Sequence, residues 1–458
     1  MNELFDAYTR FHRVANDGTV HTTSTASVVV QEDAHSQLAT LLKREGISGP
    51  IAVVFDATTF RIAGEEVVAK LRDARFETQH FMLVERDGES ALVCDDERIA
   101  ELTDRLKRST CTHTVSVGAG TINDVVKMAS FQCGQPYSTV ATAPSMNGYT
   151  SSIAAILSNG VKTTQPCHAP LIAVARPSVM AAAPERMIAS GLGDLYSKPV
   201  SNADWRLSHR LLGTFHSDIV MEIVEAGSAL LDGVAPRLAA RDPEAVAQLT
   251  GAIMLSGLAM QAAGTSGPAS GGEHLVSHFI DMTSIAFGES HDFHGCQVAV
   301  GTVATSALYA EVSKLDPTTI DVDALVARYP DWDDYEPVLR ERFGKLADAV
   351  IPFARKSAPA KHALRERLQT LVENWHDIMS DVGQTLRPTH ELEAELSAAK
   401  CPTTFAAIDV THDRALRALT HSKDIRARYT ILHLAFELGL LDDFAERYCK
   451  EQFAAASH

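Results

Sequence analysis

The chain changes character near residue 185, and this change constrains its fold more than any other feature of the sequence. Before that point, short β-branched runs alternate with helical patterns. After Pro184, long amphipathic helices rich in Ala, Leu and Glu follow one another. Continuous apolar runs between helices are typical of strands in a buried parallel sheet. The sequence therefore predicts an α/β domain over residues 1–184 and an all-helical domain over residues 185–458.

The predicted elements can be given as ranges. Strands are predicted at residues 51–55, 78–84, 114–117, 138–142 and 171–175. Helices are predicted at residues 63–75, 96–108, 214–231, 243–263 and 338–350. A chain of 458 residues is too long for one hydrophobic core, which also favours two domains.

Charge and composition exclude several classes of protein. A formal net charge of −17 at pH 7 argues against nucleic acid or an anionic membrane as the main partner, because phosphates would be repelled. The N-terminus has no basic segment followed by an apolar run, so we expect no signal peptide. We also expect no membrane span, which would need about 18 consecutive apolar residues. Seven cysteines without Cys-x-x-Cys spacing fit reduced thiols, so a cytoplasmic location is predicted.

A candidate phosphate-binding turn follows the third predicted strand. The segment Val115-Ser-Val-Gly118-Ala-Gly120-Thr-Ile-Asn-Asp124 reads as a strand, a glycine turn and the start of a helix. Small residues let the backbone approach a pyrophosphate, and a helix N-terminus offers free N–H groups and a positive dipole end. A simple tight turn between strand and helix explains the glycines equally well.

A carboxylate, Asp56, ends the first predicted strand. An acid at such a position commonly accepts hydrogen bonds from an adenosine ribose and would repel a 2′-phosphate. The alternative is that Asp56 only caps the helix that follows. In the familiar dinucleotide fold the glycine turn precedes the acid, whereas here the acid comes first by more than 60 positions. This order favours a different nucleotide-binding lineage.

Histidines with helical spacing form a candidate metal site. In Ser270-Gly-Gly-Glu-His274-Leu-Val-Ser-His278 the two histidines would share one helix face, and His294 follows sixteen residues after His278. Catalytic metal sites use three protein ligands and leave a position for substrate, and Asp194 in Gly191-Leu-Gly-Asp194-Leu is a candidate donor. Taken alone, paired helical histidines are more often ordinary core or surface residues.

Together these residues resemble the iron-containing (group III) alcohol dehydrogenase superfamily, and within it the sn-glycerol-1-phosphate dehydrogenase branch. The motifs that carry the resemblance are Val54-Phe-Asp56, Gly118-Ala-Gly-Thr-Ile-Asn-Asp124-Val-Val-Lys127, Thr142-Ala-Pro-Ser145-Met-Asn147-Gly148, Gly191-Leu-Gly-Asp194-Leu, Ser201-Asn-Ala-Asp204-Trp205, Ser270-Gly-Gly-Glu-His274 and His294-Gly295. The resemblance implies a Rossmann-like N-terminal parallel-sheet domain that binds the dinucleotide. It also implies a helical C-terminal domain that binds metal, the fold shared with dehydroquinate synthase.

The resemblance also assigns roles to single residues. Asp194, His274 and His294 match the metal ligands, and Lys198 stands where some relatives have a fourth histidine. Asp56 matches the position that favours NAD over NADP, and His278 matches a histidine that contacts the substrate or supports the metal ligands. The remaining cofactor-binding positions are matched by Gly118, Ala119, Gly120, Thr121, Ile122, Thr142, Ser145 and Ser151.

The sequence departs from the family pattern at two places. Asn147 stands where the family usually has an aspartate that contacts substrate, which removes a negative charge and adds donors. Ser266-Gly267-Pro268 replaces Ser-Arg-Pro, which removes a cation that could face an anionic substrate. Both departures concern the substrate rather than the metal or the dinucleotide.

The resemblance implies an oxidoreductase that transfers hydride between nicotinamide and a small polyol or polyol phosphate, such as glycerol 1-phosphate. It implies NAD, with NADP as a second option, and one divalent ion, with zinc favoured over iron or nickel. His278 is a candidate proton relay, or else it only orients or packs beneath His274. Alternatives are a dehydroquinate synthase-like lyase or cyclase, a dehydrogenase retuned to another polyol, and a non-catalytic nucleotide-binding relative. A homo-oligomer is expected.

Overall fold

The computed structural model describes residues 1–89, 91–158 and 161–455. Ten strands lie within these ranges, in chain order: β1 His12–Val14, β2 Val20–Thr22, β3 Ser27–Val30, β4 Ile51–Phe55, β5 Thr78–Met82, β6 His113–Gly118, β7 Tyr137–Ala141, β8 Ile153–Ser158, β9 Val161–Pro166 and β10 Ile172–Ala175.

The α-helices of the same ranges are, in chain order, α1 Asn2–Tyr8, α2 Ala34–Arg44, α3 Ala57–Thr59, α4 Glu65–Asp73, α5 Asp96–Arg108, α6 Gly120–Gln132, α7 Pro177–Ala181, α8 Glu185–Leu195, α9 Lys198–Leu212, α10 Asp218–Ala229, α11 Ala235–Ala239, α12 Pro243–Ala263, α13 Gly272–Phe287, α14 His294–Val312, α15 Val322–Arg328, α16 Trp332–Phe343, α17 Ala347–Ser357, α18 Lys361–Glu373, α19 Trp375–Gly383, α20 Thr389–Ala398, α21 His412–His421, α22 Ile431–Glu437 and α23 Leu441–Ala455. A π-helical turn, Phe60–Gly64, joins α3 to α4.

These elements divide into two compact units. The first consists of Met1–Leu195 and Ser217–Pro268, and the second of Tyr196–His216 and Ala269–His458. The ten strands belong to the first unit, and the described part of the second unit contains only helices and their connections. The predicted combination of a parallel-sheet unit with a helical unit is confirmed. The predicted boundary after residue 184 stays a prediction.

Six parallel strands form the central sheet of the first unit, in the order β3-β10-β7-β6-β4-β5. Val53 and Phe55 of β4 enter a hydrophobic cluster with residues of α2 and α4. Ala52 and Val54 enter a second cluster with residues of α5 and α6. Successive side chains of a strand point to opposite faces, so the sheet is covered by helices on both sides. This burial explains why β4 reads as an unbroken apolar run.

The five predicted strands are confirmed to within two residues at each end, as β4, β5, β6, β7 and β10. The sequence-based prediction missed β3, which is only four residues long and pairs with β10 at one edge of the sheet. It also missed two antiparallel hairpins, β1-β2 and β8-β9. Strands of three or four residues, such as β1, β2 and β3, carry too few residues for a clear periodicity.

The predicted helices are confirmed in most places and wrong in one. The ranges 96–108 and 243–263 coincide with α5 and α12, while the range 214–231 shortens to α10, which begins after the N-cap Ser217. The single helix predicted at 338–350 is wrong. It is broken into α16 and α17 at Gly344, whose φ of +51° is a backbone conformation that favours glycine.

The sequence predicts no membrane span, and one helix bears on that prediction. Within the described residues, one helix, α12, is long and apolar enough by length and composition. However, 94% of its most apolar window is buried inside the protein, and α12 packs against α10 and α7 of the same unit. A single buried helix of this kind is typical of a protein core.

Candidate functional site

The carboxyl ends of three neighbouring strands bring the predicted cofactor positions to one edge of the central sheet. The parallel register of β4, β6 and β7 makes Asp56, Gly118 and Thr142 leave the sheet at the same edge. The strand order also reverses there, because β5 lies on the opposite side of β4 from β6. In open α/β sheets, ligands bind outside the carboxyl ends of the strands at such a reversal.

The glycine turn connects β6 to α6 as predicted. Ala119 has an extended conformation and α6 begins at Gly120. A Cβ atom on Gly118 would lie 2.7 Å from the side chain of Ile122, and a Cβ on Gly120 would lie 3.0 Å from Met146. The glycines therefore serve close packing. The first-turn amides of α6, including that of Thr121, have the direction that suits an anion.

Asp56 caps the helix that follows it. Its Oδ1 accepts a hydrogen bond of 2.6 Å from the Thr59 N–H, and the Thr59 Oγ1 accepts one of 3.0 Å from the Asp56 N–H. The capping interpretation is therefore confirmed. This cap occupies one carboxylate oxygen, so a cofactor role through the other oxygen is compatible with it and stays a prediction.

A buried lysine holds the segment that contains Ser151, and the sequence-based prediction assigned it no role of its own. The Lys127 Nζ donates to the carbonyl oxygens of Gly148 (2.7 Å) and Ile153 (2.9 Å) and to the Ser151 Oγ (3.3 Å). The Asp124 carboxylate lies 3.4 Å from the same Nζ. Burial raises the pKa of Asp124, and the lysine charge opposes that shift. The signal available in the sequence was the spacing of three residues between this acid and base on α6.

The segment after β7 packs closely against α8. The Ser190 Oγ donates to the carbonyl oxygen of Ser145 at 2.9 Å. A Cβ on Gly191 would lie only 1.7 Å from the carbonyl oxygen of Pro144. Glycine is therefore required at residue 191 if these two backbones are to approach so closely.

This packing brings Asn147 onto Asp194. The Asn147 backbone N–H donates to Asp194 Oδ2 at 2.8 Å, and its Nδ2 donates to Oδ1 at 2.9 Å. Asp194 is 1% exposed. Both of its oxygens are thus oriented by one residue. An ionised aspartate at position 147 could not donate the side-chain bond.

The three histidines of the second unit converge. His274 and His278 lie on one face of α13, with ring centroids 6.1 Å apart. His294 is the first residue of α14, and its ring lies 5.3 Å from that of His274 and 5.5 Å from that of His278. A Cβ on Gly301 would lie 2.6 Å from the carbonyl oxygen of Glu273, so this glycine allows α14 to pass close to α13.

Two of these histidines have Nδ1 beside a protein partner. The Nδ1 of His274 lies 2.8 Å from Glu273 Oε1, and that of His294 lies 2.9 Å from the Ser277 Oγ. The Ser277 Oγ also donates to Gln297 Oε1 at 3.3 Å, and the Gln297 Nε2 donates to Asp281 at 2.9 Å. Such partners fix the tautomer of a metal-binding histidine and direct Nε2 toward the metal. The sequence-based prediction gave none of these supporting residues a role.

The structure thus groups the predicted site residues within each unit. Asp56, Asn147, Asp194 and the glycine turn belong to the first unit, and the three histidines belong to the second. Asp194 is two residues from Tyr196, where the second unit begins in the chain.

Comparisons with known proteins identify relatives of this chain. A family profile described as iron-containing alcohol dehydrogenase matches residues 29–184. A glycerol-1-phosphate dehydrogenase (NAD(P)+) of Bacillus velezensis is 30% identical over 424 residues, which cover 90% of this chain and 92% of the relative. One from Halalkalibacterium halodurans is 30% identical over 341 residues, which cover 70% of this chain and 85% of the relative. The crystal structure of a probable glycerol dehydrogenase from Sinorhizobium meliloti has the same fold, with a TM-score of 0.59, 15% identity and coverage of 92% of this chain and 98% of that one.

Proposed function

From the premise that this chain belongs to the iron-containing alcohol dehydrogenase family, we propose that it is an NAD(P)-linked, metal-dependent oxidoreductase acting on a polyol phosphate. The reaction most in keeping with its relatives interconverts sn-glycerol 1-phosphate and dihydroxyacetone phosphate. The observation that carries the proposal is the convergence of His274, His278 and His294, with Nδ1 of two of them next to a protein partner.

We propose that Asp194, His274 and His294 hold the metal ion. The donor chemistry supports this assignment. Asn147 orients both oxygens of Asp194. The Nδ1 atoms of His274 and His294 contact protein partners, so the Nε2 atom of each ring is the one available to a metal ion. One carboxylate and two imidazoles suit zinc, ferrous iron or nickel, and zinc is our first choice. When bound, the ion would supply Lewis acidity to a substrate oxygen while the dinucleotide accepts or donates hydride.

The proposed proton transfer involves the third histidine of the second unit, His278. His278 is 8% exposed and its ring stacks on that of His294. We propose that its imidazole accepts the proton of the substrate hydroxyl and passes it toward solvent, because histidine has a reference pKa near neutrality. In the reverse direction it would return that proton to the ketone oxygen.

The dinucleotide would lie at the carboxyl edge of β4, β6 and β7. We propose that the pyrophosphate meets the turn Gly118–Ile122, and that Thr142, Ser145 and Ser151 line the same site. Asp56 would face the adenosine ribose and favour NAD over NADP, since a carboxylate repels a 2′-phosphate. Gly118 packs against Ile122 at this edge, and Lys127 donates a hydrogen bond to Ser151.

The substrate test is a panel of sn-glycerol 1-phosphate, sn-glycerol 3-phosphate, glycerol and dihydroxyacetone phosphate. Each is mixed with NAD(H) or NADP(H) after the protein has been loaded with zinc, ferrous iron or nickel. We expect stoichiometric NADH formation from sn-glycerol 1-phosphate and little from its enantiomer. A preference for glycerol would instead support a change of substrate specificity through Asn147 and Gly267. No net NADH formation from any polyol, with a metal bound, would contradict the proposal. A cytoplasmic location and a homo-oligomeric state stay predictions.

A further inference from the structure

A buried carboxylate lies directly behind the first histidine of the site. Glu273 is fully buried, and its Oε1 lies 2.8 Å from the Nδ1 of His274 and accepts a 2.8 Å hydrogen bond from the Gly271 N–H. An ionised carboxylate only accepts hydrogen bonds. The proton of His274 therefore resides on Nδ1, which leaves the lone pair on Nε2.

A second carboxylate, Asp204 of α9, shares this buried space. A Cβ on Gly271 would lie 2.5 Å from Asp204 Oδ2 and 2.8 Å from Glu273 Oε2, so the two acids flank the same glycine. Asp204 accepts hydrogen bonds from the Gly272 N–H (2.7 Å) and the Tyr309 hydroxyl (2.6 Å). It also accepts one of 2.7 Å from the amide of Ile431. Burial, together with the charge of Glu273, raises the pKa of Asp204 to about 7.

A cation from the C-terminal part of the chain accompanies the two acids. The guanidinium of Arg428 donates to the carbonyl oxygen of Ser270, the residue before Gly271. Burial lowers the pKa of Arg428, and the charges of Glu273 and Asp204 oppose that shift. Residues 204, 273 and 428 therefore form one charged group, in which the two acids are buried and Arg428 is half-buried. We call this group the carboxylate support.

The burial of the Glu273 carboxylate is unfavourable for folding. Within the described residues, its Oε2 has no hydrogen-bond partner although it is buried. A buried carboxylate oxygen without a donor disfavours folding. The Nδ1 of His294, the other histidine proposed to bind the metal, lies beside the neutral Ser277 hydroxyl instead. A carboxylate oxygen, Asp281 Oδ2, also lies 4.0 Å from the His294 Nδ1. His274 therefore differs from His294 in having a carboxylate within hydrogen-bond distance of its Nδ1.

We infer that Glu273 is a positioning residue for His274. It holds the ring in the Nδ1–H tautomer and increases the basicity of Nε2, while Asp204 and Arg428 hold the segment that carries Glu273. This inference rests on the proposed metal site. A carboxylate behind a metal-binding histidine strengthens metal binding, and its loss typically weakens affinity about 10–100-fold.

The test measures zinc affinity by competition with a chromophoric chelator. We expect Glu273→Ala to bind zinc about 10–100-fold more weakly than the parent. Glu273→Gln keeps an acceptor oxygen without the charge, so it should lie between the two, at least about threefold weaker than the parent. The cobalt absorption spectrum of each variant provides a second readout of ligand geometry that does not depend on activity.

Glu437→Gln is the matched control. Glu437 is 3% exposed, pairs with Arg367 and accepts a 2.6 Å hydrogen bond from the Tyr429 hydroxyl, in the same unit. Its loss should lower stability and leave zinc affinity within about twofold of the parent.

The outcomes separate this inference from the function on which it rests. A folded Glu273→Ala that binds zinc within twofold of a zinc-binding parent would overturn the inference alone. If Glu273→Ala does not fold, an unchanged affinity in Glu273→Gln would overturn it in the same way. A folded parent that binds no zinc, iron or nickel would overturn the proposed function as well. An equal loss of affinity in Glu437→Gln would show a general structural effect and would also overturn the inference.

Discussion

Replacing Gly191 by alanine should separate the segment after β7 from α8. A carbon and a carbonyl oxygen normally approach to no less than about 3.3 Å, whereas the new Cβ would lie 1.7 Å from the Pro144 oxygen. The backbone at Pro144 must therefore move away from α8 by about 1.6 Å, which is the difference between these two distances. Asn147 follows in the same segment, so its bonds of 2.8 and 2.9 Å to Asp194 would be lost.

The cost can be estimated from three contributions. Overpacking of a core costs about 1–3 kcal/mol. Each hydrogen bond to a charged group contributes about 1.5–3 kcal/mol. Alanine within a helix is more favourable than glycine by about 0.5–1 kcal/mol, which offsets part of this cost. We expect Gly191→Ala to be destabilised by at least about 3 kcal/mol, which corresponds to a fall in Tm of about 6–12 °C for a unit of this size.

Thermal and urea unfolding measure this effect, and metal content measures its consequence for Asp194. Gly227→Ala is the matched control, because it lies in helix α10 of the same unit and its nearest new contact would be an ordinary 3.4 Å. That control should be neutral or stabilised by up to about 1 kcal/mol. A Gly191→Ala protein as stable as the parent, with full metal content, would refute the close-approach reasoning.

Three further predictions follow from single residues. Asp56→Asn keeps the helix cap but removes the charge, so the NADP/NAD ratio of kcat/KM should rise about tenfold or more; an unchanged ratio would leave Asp56 as a cap alone. His278→Gln should lower kcat by about 10²–10⁴ with metal content intact, and full turnover would exclude it as the proton relay. Burial lowers the pKa of His113 to about 3, so the unfolded chain binds a proton between about pH 6.5 and 3 that the folded protein does not. Stability is therefore lost as the pH falls through that window. In His113→Gln, the slope of the unfolding free energy against pH should be smaller near pH 5 by about 1.4 kcal/mol per pH unit. An equal slope in the parent and the variant would contradict this prediction.

Local patterns in the sequence predicted the elements whose burial is uniform. Strand β4 is covered on both faces, so its five apolar residues stand out. The break was missed because the amphipathic pattern continues from α16 into α17, although Gly344 has a positive φ and a 3₁₀ turn, Gly344–Leu346, separates the two helices.

The same limit applies to the candidate site. The spacing of His274 and His278 is local and was visible. The contact of Asn147 with Asp194 joins residues 47 positions apart, and that of Asp204 with Gly272 joins residues 68 apart. Such partners depend on how the whole unit folds, so the residues that orient the proposed metal ligands could not be predicted from spacing. The resemblance to a family predicted the metal ligands but not the residues that contact them.

The most direct test of the proposed function compares the parent with His294→Ala after both have been loaded with zinc. Metal per chain and the rate of NADH formation from sn-glycerol 1-phosphate are measured on the same samples, with circular dichroism to confirm the fold. We predict about one zinc per chain and turnover in the parent, and the loss of both in the folded variant. Stoichiometric zinc and parental turnover in His294→Ala would contradict the assignment of Asp194, His274 and His294 as the metal site.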